Sequence, residues 1–148
     1  AFVTWIAEQT KINYLFASTL RIGIKQAQIL DRLKKSGQLD DVTLLFGGAM
    51  KENCEHGREY RYLTRTHEIF ADNNWKMYMS NNHSKVMLFD TADGKYVIET
   101  SSNLNENPRI EQFRIEKSAE LFDFYKSFFE VVMSECKEIK RQTGTVLP

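Results

Sequence analysis

Two short apolar runs with a helix-like stretch between them most constrain how this chain can fold. Ile12-Asn13-Tyr14-Leu15-Phe16-Ala17-Ser18 and Val42-Thr43-Leu44-Leu45-Phe46 are nearly continuous in apolar residues. A strand with one wet face alternates polar and apolar residues, so runs like these read as strands buried on both faces. Between them, Ile22, Ala27, Ile29, Leu30 and Leu33 supply the apolar face of a helix that Gly23 opens and that continues through Lys35. Ser36-Gly37 stops it.

The rest of the chain continues in the same mixed style. Ala1 to Gln9 reads as a short helix, Glu59 to Ala71 as a helix and Trp75 to Met79 as a strand. Val86 to Phe89 and Tyr96 to Glu99 form a hairpin, with Asp93-Gly94 as its tight-turn signal. Phe113 to Glu116 is a last strand. A long helix is expected from Ser118 to about Arg141, with Glu120 in its first turn and Lys137, Lys140 and Arg141 in its last, as the helix dipole favours. Strand–helix–strand–helix, then several strands and a closing helix, predicts an α/β fold: a layered α-β-α sandwich around a mixed β-sheet. The 148 residues suit one domain spanning 1–148, with no repeat and no low-complexity linker.

The residues that carry chemistry lie at the hairpin. His83-Ser84-Lys85 is followed by Asp90, and Thr100-Ser101-Ser102-Asn103 comes about ten residues later. A neutral imidazole can attack phosphorus, and an imidazolium can protonate a leaving oxygen. Positions i and i+2 of a strand share a face, so His83 and Lys85 are expected to point together and Ser84 elsewhere. Lys85 then offers fixed positive charge to non-bridging phosphate oxygens, and Asn103 offers an amide N–H₂ to the same atoms. This chemistry needs no metal and no cofactor.

The pattern H-x-K-x4-D followed by S-x-N resembles the phospholipase D superfamily. In broad layout the resemblance covers most of the chain. It implies a layered α-β-α fold with the active site at strand ends. It also implies that His83, Lys85 and Asn103 are catalytic and that Ser101 and Asp90 support them. A carboxylate shortly after the S-x-N segment is implied to orient the histidine, and Glu111 is the residue that matches. Asp90 is expected to be structural or second-shell, since a strand carries it well away from His83. Two departures stand out. Thr100 occupies the place of the family's glycine, and the gap between Asp90 and the S-x-N segment is about three residues longer than usual. The extra residues, in Thr91-Ala92-Asp93-Gly94-Lys95, are expected to lengthen the turn at the far end of the hairpin.

The reaction that the resemblance implies needs two histidines, one to attack and one to protonate the leaving oxygen. Neither His56 nor His67 is followed by lysine two residues on, so the chain holds one motif. A homodimer with the active site on its two-fold axis is the expected solution. The alternative is half of a longer two-motif protein. Short single-motif members of the family are most often nucleases, so a metal-independent nuclease on DNA or RNA is the first expectation. A phospholipid-cleaving phospholipase D is the second. A non-catalytic nucleic-acid-binding module that keeps the fold is the third.

Composition adds bounds. Lys plus Arg equals Asp plus Glu at 20 each, which argues against a strongly basic nucleic-acid binder and leaves room for a local basic cleft. Arg58, Arg61 and Arg65 fall on one helical face beside Tyr62 and are candidates to hold a nucleic-acid backbone. Glu55, Glu59 and Glu68 balance them, and a solvated helix face is the simpler reading. Cys54 and Cys136 are isolated, which fits a reducing, cytoplasmic setting better than a disulfide framework. Cys54-Glu55-His56 has no second Cys/His pair and makes no zinc site. Gly47-Gly48 reads as a turn, and His67 as a structural residue. No apolar run is long enough to span a membrane. The closing helix carries more apolar surface than one stripe, including Phe122, Phe124, Phe128, Phe129 and Val131, and part of it is available to a partner subunit.

Overall fold

The computed structural model describes residues 2–19, 21–47, 58–101 and 112–138. The chain runs α1 (Phe2–Ala7), β1 (Ile12–Thr19), α2 (Ile24–Lys35), β2 (Leu39–Gly47), α3 (Arg58–Asp72), β3 (Lys76–Ser80), β4 (Val86–Thr91), β5 (Gly94–Thr100), β6 (Phe113–Lys117), α4 (Ala119–Ser134) and β7 (Lys137–Glu138). The described strands form one seven-stranded mixed sheet in the order β6-β5-β4-β1-β2-β3-β7. β1, β2 and β3 are mutually parallel, and β4 lies antiparallel against the other side of β1. β5 and β6 continue antiparallel from β4.

The two apolar runs occupy β1 and β2 at the centre of the sheet, where both faces are covered. On one face Leu15, Ala17, Val42, Leu44, Phe46, Met87, Phe89 and Ile98 pack with α1, α2 and α3. On the other, Phe16, Leu45, Val86, Leu88 and Val97 pack with Phe122 and Phe129 of α4. The fold is therefore the expected layered α/β sandwich, with three helices on one face and one on the other. Alternate residues of the same strand feed two cores, which is why the runs show no polar face.

The helix ends follow local chemistry. Gly37 (φ +82°) accepts the left-handed conformation after α2; its N–H bonds Lys34 O at 3.1 Å, and Gln38 N–H bonds Leu33 O at 3.0 Å. That pair of bonds is a Schellman cap. α3 ends the same way with Asn74 at φ +58°: Asn74 N–H bonds Ala71 O at 3.1 Å and Trp75 N–H bonds Phe70 O at 2.8 Å. Ser118 caps α4 by accepting from Leu121 N–H at 3.0 Å.

Two expectations are corrected. α4 stops at Ser134, about two turns short of Arg141. Glu135 and Cys136 close it with tight bonds to Val132 O and Met133 O, and the chain then turns into β7. There Lys137 and Glu138 pair with Met79 and Tyr78 at the open edge of β3. A free sheet edge thus captures residues whose charge pattern suited a helix end. Lys137 lies in β7, and Lys140 and Arg141 lie outside the described residues. The hairpin is the second correction. Thr91 pairs with Gly94 across a two-residue loop, so the longer gap extends both strands and leaves the turn tight. Thr91 Oγ1 closes it, donating to Gly94 O at 2.7 Å and accepting from Asp93 N–H at 3.1 Å.

Candidate active site

Strand direction brings residues 82–85 and Thr100-Ser101 to one end of the sheet. β1, β2 and β3 end there at Thr19, Gly47 and Ser80, and β5 ends there at Thr100. β4 and β6 run the opposite way, so Val86 and Phe113 begin there. Residues 82–85 enter β4 at this end, and the segment between β5 and β6 leaves and returns at it.

His83, Ser84 and Lys85 precede β4 rather than lie within it, so strand alternation does not set their directions. Hydrogen bonds do. Thr100 N–H donates to Lys85 O at 3.1 Å and extends the hairpin ladder by one step. Asn82 donates from Nδ2 to Ser18 Oγ at 2.8 Å and to Thr19 O at 3.4 Å. Asn82 Oδ1 accepts from Ser84 N–H at 3.1 Å and from Ser84 Oγ at 2.7 Å. Ser84 Oγ lies 2.6 Å from Ser18 Oγ. Ser18 is itself buried at the end of β1. Ser84 thus turns toward β1.

His83 is exposed, and among the described residues its ring makes no hydrogen bond. Lys85 is half-buried, and its ammonium donates to His83 O at 3.1 Å. The charge of Lys85 is thereby held beside the histidine's own backbone. No ion pair to Lys85 forms among the described residues. A cation held at the backbone of an exposed histidine, at the end of a sheet, can attract an anionic group.

Ser101 closes the base of the next segment. Its N–H bonds Gln112 O at 3.0 Å, and its Oγ accepts from Gln112 N–H at 3.1 Å. Thr100 Oγ1 also donates to Gln112 O at 3.0 Å. The Thr100 hydroxyl thus ties the end of β5 to the residue that precedes β6. Asn103 and Glu111 fall between these anchors and lie outside the described residues.

The other sequence candidates lie elsewhere. Asp90 is in β4, paired with Tyr14 and Lys95 at the hairpin end. Seven residues of near-extended chain separate it from His83, about 20 Å, so it does not touch the histidine. Arg65 on α3 is exposed and pairs with Glu68 at 3.2 Å, as a solvated helix face would. Arg58 and Arg61 belong to the first turns of α3. His67 is buried within α3. Cys54 and His56 are outside the described residues. Cys136 is a free thiol whose Sγ donates to Val132 O at 3.0 Å. Among the described residues no three His, Cys, Asp or Glu side chains gather closely enough to hold a metal ion. No described helix is long and apolar enough to cross a membrane.

Sequence reasoning missed Ser18 and Asn82 and gave Ser84 no role. These residues meet across 64 and 66 positions of sequence, and a small polar residue ending an apolar run carries no mark of such a contact.

No protein-family model matches the chain, and no curated protein matches it. Among solved structures it is similar to the phosphatidylserine synthase of Haemophilus influenzae Rd KW20, with a TM-score of 0.64 and 17% identity. The match covers 95% of this chain and 37% of that one, so the present chain spans little more than a third of its neighbour's length. At this identity the likeness concerns the fold: the layered α/β arrangement is shared almost end to end.

Proposed function

We propose that the chain is a phosphodiester-cleaving enzyme of the phospholipase D type. The observation that carries this reading is the placement of His83 and the Lys85 ammonium together at one sheet end. The Ser101–Gln112 closure at the base of the Asn103–Glu111 segment lies at that same end.

In this reading His83 attacks phosphorus in line, forming an N–P bond as the P–O bond to the leaving group breaks. A second histidine protonates the leaving oxygen. It then removes a proton from water, whose oxygen displaces His83 from phosphorus. Lys85 and Asn103 hold the non-bridging oxygens, and Glu111 orients His83. The second histidine comes from the partner subunit's His83 across a two-fold axis, with a second unit in a longer polypeptide as the other source.

Nucleic acid is the first substrate, a preference that comes from the resemblance of the single motif to short nucleases. The fold likeness to a phosphatidylserine synthase favours a second substrate class, phospholipid. Incubation in excess EDTA with single-stranded DNA, double-stranded DNA, RNA and phospholipid vesicles separates the two. Cleavage of any nucleic acid by the wild type, lost in His83→Ala, supports the nuclease. Release of headgroup alone moves the assignment to lipid. No cleavage of any substrate, with nucleic acid still bound, supports the non-catalytic module.

A further inference from the structure

We propose that Ser18, Asn82 and Ser84 are positioning residues for His83, acting through a closed ring of hydrogen bonds. The role in catalysis rests on the reading above; the ring itself rests on geometry alone.

Proton counting fixes its direction. Two short O···O contacts are present, Ser18 Oγ to Ser84 Oγ at 2.6 Å and Ser84 Oγ to Asn82 Oδ1 at 2.7 Å. Each needs a proton between its oxygens, and an amide oxygen has none to give. The Ser84 hydroxyl must therefore donate to Asn82, and the Ser18 hydroxyl must donate to Ser84. The Asn82 amide donates to Ser18 at 2.8 Å and closes the circuit. The reverse direction would leave two lone pairs facing each other at 2.7 Å.

The ring grips the residues on both sides of His83 and leaves His83 outside it. Ser18 is only 2% exposed at the end of a central strand, so the anchor is rigid. The backbone bond from Ser84 N–H to Asn82 Oδ1 at 3.1 Å adds a second tie across His83. The side chains on both sides of His83 and the peptide group that follows it are thus held, which limits how far the segment carrying the imidazole can move. A nucleophile on an irregular segment would otherwise lose orientation, and displacement by about 1 Å can cost about a hundredfold in rate. The middle residue of His83-Ser84-Lys85 is on this account an anchor and not a spacer.

The test compares wild type, Ser18→Ala, Ser84→Ala, Asn82→Asp and Ser84→Thr. Two readouts are taken on each: backbone amide exchange by NMR, and turnover of bis(p-nitrophenyl) phosphate. Asn82→Asp keeps the size and removes the donor to Ser18. Ser84→Thr keeps the hydroxyl at an exposed position. The three breaking variants should raise exchange at the Ser84 amide by about tenfold while the amides of Leu88 and Val97 stay protected. They should lower kcat by about 10- to 100-fold at nearly constant KM. Ser84→Thr should restore both readouts. Wild-type exchange at the Ser84 amide in Ser18→Ala and Ser84→Ala would overturn the ring. Fast exchange with undiminished kcat would overturn its part in catalysis. A wild type that turns over no diester defeats the hydrolase reading and the catalytic part together, and the exchange data then decide the ring alone.

Discussion

The ammonium of Lys85 donates a hydrogen bond to the carbonyl oxygen of His83 at 3.1 Å. The bond places the cation at the histidine's own backbone. Replacing Lys85 by methionine keeps the length of the stem and removes the charge. Loss of a charged stabiliser of the transition state typically costs about 10²- to 10³-fold in kcat. Lys85→Met should show a loss of that size in diester turnover. Its thermal midpoint should stay near the wild type, because the side chain is only half-buried. A variant with full activity would remove Lys85 from the chemistry.

The two Schellman caps predict unequal responses to substitution. Gly37 sits at φ +82° with open space where a Cβ would be, so Gly37→Ala meets only the backbone penalty. It should destabilise by about 1 kcal/mol. Asn74 holds the equivalent place after α3 at φ +58°. Asn74→Gly should cost little or give a small gain, since glycine adopts that region most readily. Urea midpoints of the two variants decide the point, and a loss at Asn74 equal to that at Gly37 would contradict it.

Acid should weaken the seam between α2 and α3. The Asn73 amide and then the Lys35 ammonium hold the Asp31 carboxyl below its ordinary value, by hydrogen bonds of 2.9 and 2.7 Å. A carboxylate with a lowered folded pKa stabilises fully above its unfolded pKa, near 4. That contribution fades as the pH falls through the lower folded value. Asp31→Asn should therefore cost on the order of 1 kcal/mol at pH 7. The gap to wild type should narrow as the pH falls below the unfolded value near 4 and through the lower folded one. A gap that stays constant from pH 7 to pH 2.5 in urea titrations would rule the linkage out.

An aromatic contact joins α4 to the centre of the sheet. Phe16 is buried in β1 with its ring 4.8 Å from that of Phe129. Phe16→Ala should cost about 3–5 kcal/mol. Phe124→Ala, on the exposed side of α4, should change stability by less than about 0.5 kcal/mol in the isolated chain. Chemical denaturation of both variants measures the contrast.

Much of this architecture was legible in the sequence because local and global demands agree. The runs ending at Ser18 and Phe46 had to be central strands, since neither offers a polar face. Asp93-Gly94 marked the hairpin, though not that the extra residues would lengthen its strands. α4 was drawn too long because Lys137, Lys140 and Arg141 suit a helix end. The open edge of β3, which takes Lys137 and Glu138, exists only once the sheet is assembled. His83 and Lys85 could be found from spacing. Their arrangement could not: the strand rule that placed them together does not reach a segment that precedes β4. Ser18, Asn82 and Ser84 were silent because their contacts are purely tertiary.

The most direct measurement is a search for the covalent intermediate on His83. Wild-type protein in excess EDTA is mixed with a cleavable diester, quenched in alkali, which preserves phosphohistidine, and digested for mass spectrometry. The account predicts a substrate-derived phosphoryl adduct on the peptide carrying His83, and no adduct and no turnover in His83→Ala. Turnover that persists in His83→Ala, or an adduct on another residue, would contradict it.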